Sequence, residues 1–122
     1  STRQCMSMTD SGDDYRDLLN QKRFLSEIEL GIRQANRELI HGRIPELNKD
    51  KILRFAVAVG RLRARYLAAA VNMSVNEAGE SLDEGYIDDL RQKREAYEEA
   101  RVAFDALRDA VEKGYIDVEE LE

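Results

Sequence analysis

Apolar residues recur at steps of three and four along the middle of the chain, from Ile52 to Met73. Such steps return to one side of an α-helix, so the pattern predicts a long central helix. A first apolar stripe comprises Ile52, Phe55, Val59, Leu62, Tyr66, Ala69 and Met73. A second stripe, offset by one residue, comprises Leu53, Val57, Gly60, Ala64, Leu67 and Val71. A helix with two apolar faces needs neighbours on both, so we expect the second stripe to be an interface with another copy.

A helix is predicted on each side of the central one. The first begins near Asp13 or Asp14, and its apolar stripe is Leu18, Leu25, Ile28, Ile32, Ala35 and Leu39. The last begins near Leu82 or Asp88 and runs to Lys113, and its stripe is Ile87, Leu90, Tyr97, Ala100, Phe104, Leu107 and Val111. No β-branched run is bounded by turn signals, which leaves no candidate strand. The predicted fold is therefore all-α: a bundle of three main antiparallel helices with short capping helices and a long central helix.

Glycine and asparagine mark the predicted helix ends. Gly42 lies where the first helix should stop, and Asn48 is the expected N-cap of the central helix. The phrase Gly-Tyr-Ile-Asp occurs at residues 85–88 and again at 114–117. Both copies are interpreted as a helix stop, an apolar anchor and a new cap.

The chain's length and charge place these helices in one domain with two oppositely charged parts. With 122 residues, we expect a disordered leader at 1–14 and a single helical domain at 15–122. Residues 16–66 carry 12 Lys and Arg against six Asp and Glu, whereas residues 77–122 carry six against 16. Opposite charge predicts contact between the two parts, within one molecule or between copies.

Three arginines of the central helix, Arg54, Arg61 and Arg65, form a broken basic row that could bind phosphate. Because the chain is acidic overall, with a net charge of −6, we expect these arginines to face the acidic third helix. Nucleic acid is thus an unfavoured partner, and a nucleic-acid-binding or regulatory role is the alternative function.

Metal and cofactor motifs are weak throughout the sequence. Glu38 and His41 have the E-x-x-H spacing of di-iron helical bundles, but His41 is the single histidine, so an oligomer would have to complete such a site. A calcium loop beginning at Asp109 would have Val111 and Lys113 where oxygen ligands are required. No phosphate loop, dinucleotide motif, nucleophile elbow or zinc spacing occurs. We therefore predict no cofactor, no metal and no catalytic residue.

Cysteine usage and hydropathy bear on location. Cys5 is the only cysteine, which excludes a disulfide within the chain and favours the reducing cytoplasm. No apolar run is long enough to span a membrane, so no membrane partner is expected. The function predicted from these patterns is a non-enzymatic protein-interaction or assembly module that forms a homo-oligomer, with a different protein as another possible partner.

Overall fold

The structure, a computed structural model, describes the backbone of residues 2–76 and 84–117 and the side chains of residues 12–73 and 84–117. It contains three helices, namely α1 (Thr2–Arg43), α2 (Lys49–Asn76) and α3 (Glu84–Glu112). No strand occurs within the described ranges. The predicted all-α class is confirmed, and the predicted central helix is α2.

The interior lies between α2 and α3, which form the one extensive helix–helix contact among the described elements. Every residue of the first α2 stripe is buried or half-buried there, and Val59 is only 5% exposed. Phe55 meets Phe104 edge to face with ring centroids 5.4 Å apart, and Tyr66 stacks on Tyr97 at 6.1 Å. Partners on α3 come earlier in the sequence as α2 proceeds, which is the order of contacts between two antiparallel helices. An antiparallel arrangement of all three helices stays a prediction.

Two helix ends follow their predicted signals closely. The Asn48 Oδ1 accepts a hydrogen bond of 2.9 Å from the Lys51 amide, which makes Asn48 the N-cap of α2. Gly114 adopts a positive φ of 75°, and its amide donates to the Val111 carbonyl at 3.1 Å. The Tyr115 amide donates to the Ala110 carbonyl at 2.9 Å. This pair of bonds is a Schellman motif, the glycine-dependent end of a helix.

Other predicted helix ends are wrong. Gly42 lies inside α1, which continues to Arg43, and Gly85 lies in the first turn of α3. Neither glycine has a positive φ, so neither adopts the left-handed geometry that ends a helix. α1 continues for one residue past Gly42, and Gly85 is the second residue of α3. Ser81 and Glu84 also have the spacing of a capping box, which predicts an N-cap at Ser81, but Ser81 lies outside the described residues.

The first helix, α1, departs most from the expected bundle. It begins at Thr2 rather than near Asp13 or Asp14, and each described side chain from residue 12 to residue 35 is exposed. The predicted stripe therefore has no cover, and Leu39 at its end is 67% exposed. Whether residues 1–14 form a separate leader and residues 15–122 a single domain stays a prediction.

Among the described residues of α1, those near its C-terminal end contact the segment that follows α3. The Arg37 Nε donates to the Gly114 carbonyl at 2.8 Å, and the Arg33 side chain lies against the same glycine. Ile116, next in this segment, is 9% exposed. These contacts hold α1 beside the end of α3 instead of along α2.

Ion pairs in the described helices join residues that are close together in the sequence. Most join neighbouring turns of one helix, such as Arg54 with Asp50 at 3.0 Å and Arg101 with Glu98 at 2.6 Å. Arg101 donates a hydrogen bond to Glu98, which raises the pKa of Arg101, and Lys113 donates one to Asp109, which raises the pKa of Lys113. No ion pair joins the described residues of α2 to those of α3, so the expected ion pairing between these two helices is absent, although the helices pack on each other. A charge contact between copies stays a prediction. Side chains three or four residues apart are simply the nearest partners on a helix.

No described helix is long and apolar enough to cross a membrane.

The two aromatic contacts between α2 and α3 predict which substitutions lower the stability of the chain. Phe104→Ala should lower the free energy of unfolding by about 2–4 kcal/mol, because it removes a large side chain from the α2–α3 contact. Val102→Ala is the control on the same helix, and since Val102 is 56% exposed, we expect a change within about 0.5 kcal/mol. Urea unfolding followed by circular dichroism measures both. Equal losses of unfolding free energy in the two variants would show that the aromatic contacts do not stabilise the packing of α3 on α2.

Candidate interaction surface

The second stripe of α2 is a continuous apolar surface that the described chain leaves open. Five of its six members are exposed, including Leu53 at 60% and Leu67 at 54%, and only Gly60 is half-buried. At about 100° per residue, this stripe lies on nearly the opposite side of α2 from the first stripe. The contact with α3 therefore orients the second stripe towards solvent.

Small residues flatten the middle of this surface. Gly60 and Ala64 are four residues apart, and Leu53, Val57, Leu67 and Val71 stand on either side of them. A Cβ built at Gly60 would meet no atom within 4 Å. Among the described residues, no helix of this chain approaches Gly60. The shallow centre is available to a neighbouring backbone from outside.

Basic side chains border the second stripe along one side. Arg54 is paired with Asp50, whereas Arg61 and Arg65 are exposed and make no ion pair with any described residue. They do not reach α3. The arginine that does so is Arg63, whose Nε donates to the Tyr97 hydroxyl at 3.3 Å and whose guanidinium carbon lies 5.3 Å from the ring centroid.

Arg63 is not a member of the predicted row of Arg54, Arg61 and Arg65, and its contact with α3 was not predicted. Its position relative to the arginine row gave no reason to expect a contact with α3. The available signal was Tyr97 in the α3 stripe, since an arginine beside an aromatic ring can combine a cation–π contact with a hydrogen bond. Carboxylates of α3 were the predicted partners of the α2 arginines. The observed contact is instead between Arg63 and the aromatic ring of Tyr97.

A second surface feature lies where α1 meets the segment after α3. It is a cleft of about 290 Å³. The cleft is lined by Arg37, Glu38, Ile40, His41, Ile44, Pro45, Leu47, Tyr115, Ile116 and Asp117. Glu38 and His41 are thus brought together, as their helical spacing predicts. Among the described residues there is no group of three or more His, Cys, Asp and Glu side chains that could hold a metal ion.

Comparison of the sequence with protein-family models, with curated proteins and with solved structures returns no match. The function is therefore argued from the surfaces of this chain alone.

Glycine substitutions test whether the second stripe is open in the isolated chain. Gly60→Ala should raise the free energy of unfolding by up to about 1 kcal/mol, because alanine favours the helix and its Cβ has free space. Gly114→Ala should lower it by about 1–2 kcal/mol, because alanine is strained at positive φ.

Both measurements are made by urea unfolding at the lowest workable protein concentration, where association contributes least. A loss of stability for Gly60→Ala would mean that another helix of the same chain already occupies the space.

Proposed function

We propose that this chain is a non-enzymatic assembly module that associates with copies of itself through the second stripe of α2. One observation carries the proposal: five of the six residues of this apolar stripe remain exposed after α2 has packed on α3. Contiguous apolar surface of this kind is typical of protein–protein interfaces. Its Leu and Val side chains can bury their area only against a further apolar surface.

The shape and borders of the stripe support a helical partner. Large residues at both ends and small ones at the centre leave room for a second helix to approach along α2. Exposed Arg61 lies beside the apolar centre, as charged residues do at the rim of many interfaces. The single cysteine is consistent with a reducing compartment, and we propose the cytoplasm as the place where the module works.

Self-association should be visible directly in the mass of the native particle. Size-exclusion chromatography with light scattering should give about twice the chain mass of 14.0 kDa, or a higher multiple. Ala64→Glu places a charge at the centre of the stripe, where burial without a partner is costly. We expect this variant to be monomeric, or to unfold if the monomer is not stable alone.

Ala58→Glu is the matched control, because Ala58 is an exposed alanine of the same helix outside the second stripe. This variant should keep the mass of the parent. A parent protein that stays monomeric at high concentration contradicts the proposed function. Loss of association in both variants would mean that a negative charge anywhere on α2 prevents association, and would not identify the second stripe as the interface.

Nucleic-acid binding is the second candidate function. The favouring observation is that Arg61 and Arg65 are exposed and make no ion pair in the described chain. Against it, the third member of the row, Arg54, is already neutralised by Asp50. Two free arginines on one helix provide fewer phosphate contacts than tight binding requires.

We expect no band shift when the protein is mixed with duplex DNA or with single-stranded RNA at low salt. The net charge of −6 repels the phosphate backbone, and the arginine row is too short to overcome that repulsion. A shift that weakens steeply with salt, and that is abolished by the double change Arg61→Glu and Arg65→Glu, would favour the second candidate instead.

A further inference from the structure

Two exposed stripes in this chain have the same spacing. From Leu39 back to Leu25, the α1 stripe runs in steps of four, three, four and three residues. From Leu53 forward to Leu67, the second α2 stripe runs in the same order of steps. All of these residues except half-buried Gly60 are exposed. Alternating steps of three and four are the spacing of helices that pack along each other.

Laid antiparallel, the two stripes match in five layers, and large residues face small ones at the centre. The layers, each written with the α1 residue first, are Leu39 with Leu53, Ala35 with Val57, Ile32 with Gly60, Ile28 with Ala64, and Leu25 with Leu67. Ile32 and Ile28 fill the space left by the small residues Gly60 and Ala64. Val57 likewise fills the space left by the small side chain of Ala35. The pairing keeps the seam well filled along its length, which is the condition for stable helix packing.

Charge selects this register over its neighbours. It sets Glu29 of α1 opposite Arg61 of α2, at the border of the seam. Neither residue has an ion pair in the described chain. Shifting α1 by one heptad would put Lys22 opposite Arg61 and Gln21 opposite Ala64. Both changes are unfavourable, because they oppose like charges and bury an amide without a partner.

A parallel arrangement also aligns apolar layers, so the apolar pattern by itself does not choose the direction. In that arrangement Ala56 lies opposite Glu29 and Phe24 lies opposite Arg61. The complementary pair of charges would be lost. The antiparallel direction is therefore the one in which both shape and charge agree.

The structure also indicates which molecule supplies the α1 helix. The end of α1 is held by the hydrogen bond from Arg37 to Gly114, and α1 makes no extensive contact with α2 among the described residues. Its own α2 is thus not covered by it. We infer that α1 of one copy packs antiparallel on the second stripe of α2 in another copy, and reciprocally. This inference rests on the proposed self-association, and the two-fold dimer would contain the seam twice.

Mixed cross-linking tests the inference. Two single-cysteine chains are made in a Cys5→Ser background, one with Leu25→Cys and one with Leu67→Cys, and one of them carries a tag that changes its mass. They are mixed under reducing conditions and then oxidised. We expect a disulfide-linked mixed dimer, because the fifth layer places these two residues together within disulfide reach.

The matched control replaces Leu25→Cys by Ala35→Cys. Ala35 lies ten residues from Leu25, about 15 Å along the helix, and would face Leu67 only in the parallel arrangement. Under the inference this control gives no mixed dimer. A mixed dimer from the control pair alone would overturn the antiparallel seam.

Light scattering on the reduced variants distinguishes failure of the proposed α1–α2 pairing from failure of self-association itself. A dimer without a mixed cross-link would overturn this inference and leave the proposed function standing. A monomer would overturn both. A disulfide confined to one chain, formed only when Leu25→Cys and Leu67→Cys are combined in the same molecule, would show that α1 folds back on its own α2.

Charge reversal gives an independent measure of the register. Arg61→Glu alone and Glu29→Arg alone should each weaken the dimer about tenfold at low salt, because each opposes like charges at both seams. The two changes in one chain should restore the dissociation constant to within about threefold of the parent. Weakening that is merely additive in the double variant would contradict the pairing of these residues.

Discussion

The packing of α2 on α3 is the interaction on which the rest of the structure depends. The two aromatic contacts, Phe55 with Phe104 and Tyr66 with Tyr97, fix both the direction and the rotation of α2. Once the first stripe is committed to α3, the second stripe has to lie on the outer side. The same pairing brings the end of α3 close to the start of α2, and therefore to the connection from α1. The exposed surface, the cleft and the attachment of α1 all follow from this one contact.

Electrostatics contribute to this fold mainly within helices. The acidic third helix pairs some of its own charges, as in Arg101 with Glu98 and Lys93 with Asp89. Exposed pairs of this type stabilise a helix by only tenths of a kcal/mol each. The contact between α2 and α3 is instead apolar and aromatic, with the Arg63 guanidinium placed over the ring of Tyr97. The excess positive charge of residues 16–66 and the excess negative charge of residues 77–122 therefore contribute little to the contact between α2 and α3.

The periodicity of the sequence was sufficient to predict the helices, the separation of the two α2 stripes and the caps at Asn48 and Gly114. These features depend on residues within a few positions of one another. The path of α1 depends on a hydrogen bond from Arg37 to Gly114, far away in the sequence, and no local pattern reports it. The misplacement of Arg61 and Arg65 has the same origin. Helical spacing gives a residue's angle on its helix, but the rotation of that helix against its neighbour is decided by the aromatic pairs.

The exposed apolar stripe of α1 has a consequence for folding during synthesis of the chain. α1 is synthesised before α2 and α3, so its exposed apolar residues leave the ribosome before either of the other helices. The contact between α2 and α3 joins helices that are adjacent in sequence, and such contacts form early in folding. The contact that α1 makes through Gly114 has to wait for the end of α3. The charged residues interspersed along α1, such as Glu27, Glu29 and Arg33, keep this helix soluble through that interval.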